Sequence, residues 1–444
     1  MRIGARVTET SISGVYLRAD GGSGSRCIEV GPDGLVAAFD RLLLELLEHA
    51  DHMGGPAETV SSVSFDASAV LVPLADQPVT AIRIAPRPPA DRAHELRGGG
   101  DGYADPLVVH LAGGHTTLGD ELAPLDTARL REVAAAAPRR GRYVVTSVGS
   151  IIDPAHELGA GRILLELADP ASVDYSHSFN SSSFAIRERT AIINSLLIPV
   201  AESLVTSLAL VVGARLPGAR LYASTNDGGC VPLTRLSVLP VHSMLSARAS
   251  EFIGAAALLG TEDGRIVVAG GDEILVGEII EGAPAVRQKF QERLGSALAT
   301  KVAHLTPLTG DAVHPFPGSP VVHAVDAPES GLPANILSNA PVLAAEVDLC
   351  AFGAACAQLS DWAHRIVRVT GPDEMRHELE VAEARVRARL VSFGASPSEV
   401  RIVESRTVGT AYQNPSLVSV RVRGTAGQSI GTLLSGGDGH AAQR

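Results

Sequence analysis

A chain of 444 residues, 45% hydrophobic and 19% charged, has material for two or more domains with a sizeable core and does not read as disordered. Its formal net charge of −12 is spread along the sequence, so a polyanion would be repelled; nucleic acid and an anionic bilayer surface are excluded as steered partners. The four cysteines, Cys27, Cys230, Cys350 and Cys356, have no C-x-x-C spacing, which argues against a zinc site or a disulfide framework and for a reducing cytoplasm.

In chain order, MRIGARVTETSISGVYL lacks a basic start followed by an unbroken apolar run, so it is no secretory signal. It predicts a hairpin over 1–20, with GARV and SGVYL flanking the turn. LVAAFDRLLLELLEHA (35–50) has Leu and Phe at helical spacing opposite acidic residues. TVSSVSF and VTAIRIA read as strands, and PRPPADRAHELRGGGDGYADP as an exposed insertion. Then strands and helices alternate as in an α/β layer architecture: PLVVHLA, helix 125–137, RYVVTSVG, helix 154–167, SVDYSH and a long helix from about 184 to 213. That helix contains the most apolar stretch, SLLIPVAESLVTSLALVVG, but Pro199 and Glu202 interrupt it, so it predicts a buried helix rather than a membrane span.

The second half repeats the style. ARLYAST leads to NDGG, helix SARASEFIGAAALLG, a hairpin over 265–280 turning at Gly270-Gly271, and a Pro-rich turn region. AEVDLCAFGAACAQLSDWAHRI, the charged helix DEMRHELEVAEARVRARLVSFG and a Gly-rich tail follow. Both halves open on a hairpin followed by helices, which hints at duplication without a strict period. Of the 37 Lys and Arg residues only Lys289 and Lys301 are lysines, and without a G-x-x-x-x-G-K-[ST] run a P-loop ATPase is excluded at motif level.

One stretch carries a family likeness. DPAHELGAGRILLELADPASVDYSHSFNSSSFAIRERTAIINSLLIP resembles the A-type subunit of the hydantoinase/oxoprolinase family, to which acetone and acetophenone carboxylase subunits are related. The matching positions are Pro154, His156, Glu157, Ser176, His177, Glu188, Arg189, Thr190 and Asn194. The likeness continues through LYASTNDGG, GAAAL, FGAACAQLSDWAHRIV and FGASPSEVRIVE, in family order. It implies an actin-like, sugar-kinase-like ATPase fold of two ribonuclease-H-like lobes about a central cleft. On this reading the lobes span 1–180 and 181–424, with a flexible tail over 425–444. Implied too are ATP with Mg²⁺, a small-molecule ligand in the interlobe cleft, a B-type partner subunit, and opening of cyclic amides such as hydantoins or 5-oxoproline, or carboxylation of ketones.

The resemblance places His177 and Glu188 as catalytic candidates, and Thr10, Gly228, Gly229, Gly270, Gly271 and Gly353 as cofactor-binding ones. Asp272 and Glu273 would hold metal, since Mg²⁺ takes one or two carboxylates plus phosphate oxygens. Against each stands a plainer role: hairpin glycines, a helix–helix contact at Gly353, a satisfied interior histidine at His177, a cap or ion pair at Glu188 and Arg189, and a capped helix start at His156 and Glu157.

The family's Asp-x-Gly-Gly-Thr phosphate loops are altered in both hairpins. The first has Arg6 at the aspartate, Thr8 and Glu9 at the glycines, and keeps Thr10; the second has Ala269 at the aspartate, with Asp272 and Glu273 beyond the shifted glycines. A Ser-Gly-Pro expected before GAAAL reads Ser246-Ala247-Arg248. A carboxylate about 4 Å from a phosphate charge costs roughly 4 kcal/mol at an effective dielectric near 20, on the order of a thousandfold in affinity. The sequence therefore favours a chain that keeps the fold as a scaffold or regulatory subunit and does not use ATP alone. The alternatives are an active ATP-dependent hydrolase or carboxylase, and a binding protein for a small acid that uses Arg6.

Overall fold

The computed structural model describes residues 1–53, 58–73, 79–87, 106–136, 140–270, 273–287, 297–308, 319–325, 341–409 and 417–427. Strands β1 (Arg2–Val7), β2 (Ser11–Leu17) and β3 (Ser23–Glu29) form an antiparallel meander. β4 (Ser62–Asp66) lies parallel to β1, and β9 (Arg220–Ser224) parallel to β4, giving the order β3-β2-β1-β4-β9. β10 (Cys230–Pro232), β19 (Leu359–Arg368), β21 (Leu417–Ala426) and β20 (Val400–Gly409) extend this sheet to nine strands.

The same order recurs in the second half. β11 (Gly264–Gly270), β12 (Glu273–Ile280) and β13 (Ala283–Pro284) pair antiparallel, while β17 (Val321–His323) and β18 (Val342–Ala344) add parallel strands beyond β11. The order is thus β13-β12-β11-β17-β18, with β16 (Thr306–Leu308) paired to β12 and β14 (Val286–Arg287) paired separately to β15 (Val302–Ala303). A third sheet is wholly parallel, β6-β5-β7-β8, from β5 (Val79–Ala85), β6 (Leu107–Ala112), β7 (Arg142–Ser147) and β8 (Ser172–Tyr175).

Helix α1 (Gly34–His52) buries Ala38, Phe39, Leu42, Leu43, Leu46 and Ala50, a one-sided stripe set by its 3.6-residue period, against the large sheet. Each such Leu or Phe contributes about 1.5–3 kcal/mol on burial. Helices α2 (Thr127–Ala136) and α3 (Ala155–Leu167) share the parallel sheet's own core. Its other face packs on α4 (Phe184–Arg215), started by the Ser183 side chain accepting from the Ile186 amide. By length and composition α4 is long and apolar enough to cross a bilayer. Here Ala191–Ile198 is enclosed on all sides, because the parallel sheet and α1 both pack against the helix; two buried faces explain its lack of amphipathic pattern.

α5 (Ala247–Leu259) and α6 (Leu349–Cys356) lie between the two repeated sheets. They cross through glycine: a Cβ on Gly353 would stand 1.8 Å from the Ser250 carbonyl oxygen, and one on Gly254 2.1 Å from that of Leu349. Gly4 of β1 likewise leaves room for α6, with the Ala351 oxygen 2.0 Å from where its Cβ would be. α7 (Pro372–Ser392) covers β19, β20 and β21.

Two placements differ from the sequence reading. Gly270 belongs to β11 and pairs with Glu273, so the hairpin turns one residue later than expected; Gly271 and Asp272 lie outside the described residues. The tail expected from residue 425 begins later, because Thr425 and Ala426 are paired to β19 and β20 within β21; residues 428–444 lie outside the described ones. The expected insertion falls mostly there too, over 88–105. Residue 180 itself lies between β8 and α4, and the nine-stranded sheet takes strands from both sides of it.

Candidate functional site

The ends of β1 and β4 meet the N-termini of α5 and α6. Arg6 and Asp66 are register partners at the end of the β1–β4 pair, so their backbones are fixed side by side. The Asp66 carboxylate is 1% exposed and accepts from Ser246 Oγ (2.7 Å) and Ser250 Oγ (2.8 Å) at the start of α5, and from Ser68 Oγ (2.7 Å). Asp348 caps α6 by accepting from the Ala351 amide at 2.9 Å, and Arg6 reaches across to it at 3.5 Å. Helix N-termini attract anions through their free N–H groups and dipole. Here a carboxylate of the chain stands at each: Asp348 takes an amide of α6, while Asp66 takes the hydroxyls of Ser246 and Ser250 at the start of α5.

The two hairpins are held differently. The β1–β2 turn bonds to itself: the Thr8 hydroxyl donates to the Ser11 carbonyl at 2.8 Å and accepts from the Ser11 amide at 3.0 Å. Thr10 is exposed and its carbonyl accepts from the Val30 amide. Beyond the β11–β12 turn, Glu273 is ion-paired with Arg248 of α5 at 2.5 Å. Three of the expected phosphate and metal positions, Thr10, Gly270 and Glu273, thus stand at or beside these turns, with Gly353 in the α5–α6 crossing behind them.

His177 and Glu188 lie elsewhere. Glu157 of α3 is fully buried and its two oxygens accept from Ser147 N, Ser176 Oγ, His177 N and His177 Nδ1 at 2.6–3.0 Å. Burial alone would raise its pKa, but hydrogen bonds from His177, Ser176 and Ser150 outweigh burial and hold the carboxyl below its ordinary range. Arg187 completes the cluster, donating to the carbonyls of Ser181 (2.8 Å) and Ser147 (3.1 Å). Glu188 makes a bidentate pair with Arg83 of β5 at 2.6 and 2.7 Å. These motif residues fasten α4 to the parallel sheet. Glu157, read in the sequence as a helix-start acid, is the centre of the cluster.

A further buried charged group stands in the NDGG motif. Asp227 is 3% exposed and accepts from Thr225 Oγ1 (2.5 Å), Ser360 Oγ (2.8 Å), Trp362 Nε1 (2.8 Å) and Arg423 (3.3 Å). Burial raises its pKa, but Arg423 and these donors prevail and leave it lowered. Gly228, at φ +84°, and Gly229 bring the backbone against Pro284 and Ser360, where a Cβ would fall 2.6 and 2.2 Å from their side-chain carbons. They make the turn that presents Asp227.

Beside Asp227 opens a cavity of about 350 Å³ walled by Phe179, Leu239, His242, Lys301, Trp362 and His364. Asn180, Ala299 and His364 are shared with a neighbouring cavity of about 610 Å³ that reaches Ile152, Phe184, Ile366 and Arg421. Lys301 Nζ is 3.2 Å from His364 Nδ1, and His364 Nε2 is 2.8 Å from Ser419 Oγ. With Lys301 donating, His364 is the neutral tautomer carrying its proton on Nε2. Burial, then Lys301, lowers His242 to about 4 and His364 to about 3; burial and Arg421 lower Lys301 to about 8. The sequence reading assigned no site role to Lys301, Trp362, His364, Asp66 or Arg421: Trp362 and His364 share β19 two residues apart, but the others come from separate parts of the chain with no local spacing to join them.

These neutral histidines set an acid limit. In the unfolded chain a histidine takes up its proton near pH 6.5, whereas His242 and His364 resist it to about 4 and about 3, so between those values the unfolded state binds more protons. Stability therefore falls as pH falls, by up to about 1.4 kcal/mol per pH unit for each ring. Urea denaturation at stepped pH is expected to show this decline beginning near pH 6.5; a flat profile down to pH 4.5 would contradict the neutral assignment.

No family model matches this chain, and no curated protein matches it. Solved structures do. The chain is similar to acetone carboxylase in its nucleotide-free structure, at TM-score 0.68 and 12% identity over 97% of this chain and 88% of that one. It is similar to the ATP-dependent caprolactamase of Pseudomonas jessenii, at TM-score 0.69 and 15% identity over 96% and 87%. At such identities the likeness establishes a common fold.

Proposed function

We propose that this chain is a divergent A-type subunit of the hydantoinase/oxoprolinase type, with an actin-like body of two ribonuclease-H-like lobes. It does not bind ATP by itself and acts as a scaffold or regulatory subunit beside a B-type partner. The repeated strand order, β3-β2-β1-β4-β9 and β13-β12-β11-β17-β18, with a helix pair between the sheets, supports the two-lobed reading. The loss of nucleotide rests on one observation: carboxylates of the chain itself stand where a phosphate charge would come, Asp66 on the Ser246 and Ser250 hydroxyls at the start of α5 and Asp348 on the Ala351 amide of α6, and Arg6 is paired to the latter. The residues present do not fit a nucleotide phosphate with Mg²⁺. Arg6 and Ala269 stand at the loop-aspartate positions, and the Thr8 and Ser11 amides and the Thr8 hydroxyl are bonded within the first turn.

The second reading, an active ATP-dependent cyclic-amide hydrolase or ketone carboxylase working with a B-type subunit, draws on two things. Caprolactamase and acetone carboxylase are both described as ATP-dependent, and Asp66 keeps a carboxylate at the end of β4. That carboxylate is already occupied by three serine hydroxyls. Calorimetric titration with Mg·ATP separates the readings, and the variant Arg6→Asp/Thr8→Gly/Glu9→Gly sharpens it. Measurable affinity gained by the variant alone supports lost phosphate loops; a variant as silent as the parent counts against that explanation.

A further inference from the structure

We infer that the joined cavities at Lys301, His364 and Trp362 form a binding site for a small organic carboxylate with an apolar body, its head against Lys301 and Arg421. The inference is independent of whether the chain binds ATP.

The site is built from charge. In a protein of net charge −12, the wall of the smaller cavity carries Arg235, Lys301, Arg385 and Arg389 against two carboxylates. Both carboxylates are already answered, Asp227 by Arg423 and Asp361 by Arg389 at 3.0 Å. The wall of the larger cavity has Arg187 and Arg421 and no acid. Arg187 is committed to serine hydroxyls and carbonyls, while Arg421 Nε is buried with no hydrogen-bond partner among the described residues. His364 bonds to Lys301, is the register partner of Arg421 and lies in both walls, and Arg421 disfavours the charge on Lys301. Like charges facing one desolvated space are relieved by an anion entering it.

The rest of the lining mixes apolar side chains with Ser, Thr and Asn. Phe179, Val231, Leu239 and Trp362 line one chamber, and Ile151, Ile152, Phe184 and Ile366 the other. Volumes of about 350 and 610 Å³ suit a small molecule, and an apolar wall with a few convergent polar groups is the usual make-up of such a site. Trp362 lies with Lys301 Nζ 5.7 Å above its ring, which stiffens the lysine in place.

The test uses a built-in reporter, since Trp362 is the chain's one tryptophan. Its fluorescence is followed as the full chain is titrated with hexanoate and, as the neutral control of the same shape, hexanamide. Hexanoate is expected to give a saturable change, with hexanamide at least about tenfold weaker. Lys301→Met should weaken hexanoate by about tenfold or more, and Lys301→Arg should retain binding. The groups acting on Lys301 are His364, Arg421, Glu404 and Asp227, and with Lys301 near 8 the parent's affinity should fall above that pH while that of Lys301→Arg holds. Should Lys301→Met misfold by circular dichroism, Arg421→Met gives the same reading from another element. Equal affinity for hexanamide, no saturable signal up to about 10 mM hexanoate, or unchanged affinity in a folded Lys301→Met or Arg421→Met overturns the assignment.

Discussion

Replacing Asp227 by alanine is expected to destabilise the protein by about 3–5 kcal/mol, the cost of leaving a buried guanidinium without its partner. Arg423 is 5% exposed, and without Asp227 its remaining acceptors are the carbonyls of Pro284 and of residue 227. Thr225, Ser360 and Trp362 each lose an acceptor as well. The effect is a coupling, so a double-mutant cycle with Arg423→Met reads it: once the arginine is gone, removing the aspartate strands no charge, and the double variant should lose less than the sum of the singles. Strict additivity in urea denaturation, or a loss below about 1 kcal/mol for Asp227→Ala, would show that the pair does not hold β9–β10 to β21 as described.

Gly353→Ala is expected to be nearly as damaging, about 3 kcal/mol and at the upper end for an overpacked site. Most added methyl groups are accommodated by a neighbouring side chain turning aside. Here the obstacle is backbone, the Ser250 oxygen at 1.8 Å, and α5 cannot withdraw without lifting from the small sheet's core. The same thermal or urea measurement checks it, with Gly31→Ala as control, where a Cβ meets nothing within 4 Å. A Gly353→Ala protein as stable as the control would mean that the helices do not cross at this distance.

Gly353 also illustrates what could be read in advance. FGAAC is equally consistent with a ligand-facing glycine and a helix crossing, and only the position of α5 decides which contact the chain makes. The long periodic helices and the strand-helix alternation were legible because each carries its signal within a dozen residues. The repeated hairpin-and-helix style is matched by a repeated strand order. By contrast, the residues 341–366 held a short helix and a long strand that no period separates, since α6 is buried on every side and β19 mixes Asp, Trp and His with its apolar positions.

The site was half legible for the same reason. NDGG pointed to the right turn, but through its glycines, while Asp227 beside them carries the interactions. The departures at Arg6 and Ala269 were visible in the sequence, and so in principle was the Asp348 cap, made three residues on; the Asp66–Ser246 and Arg6–Asp348 contacts join residues 180 and 342 apart and could not be read there. His177 and Glu188 were singled out by a motif, yet their partners, Glu157 and Arg83, are fixed by the packing of the parallel sheet on α4.

The proposed function stands on Asp66 and Asp348, carboxylates of the chain placed at the N-termini of α5 and α6. Its most direct test is isothermal titration of the purified full chain with Mg·ATP. The prediction is no binding heat at concentrations up to about 1 mM, whereas saturable binding with a Kd of about 10 μM or tighter would contradict it.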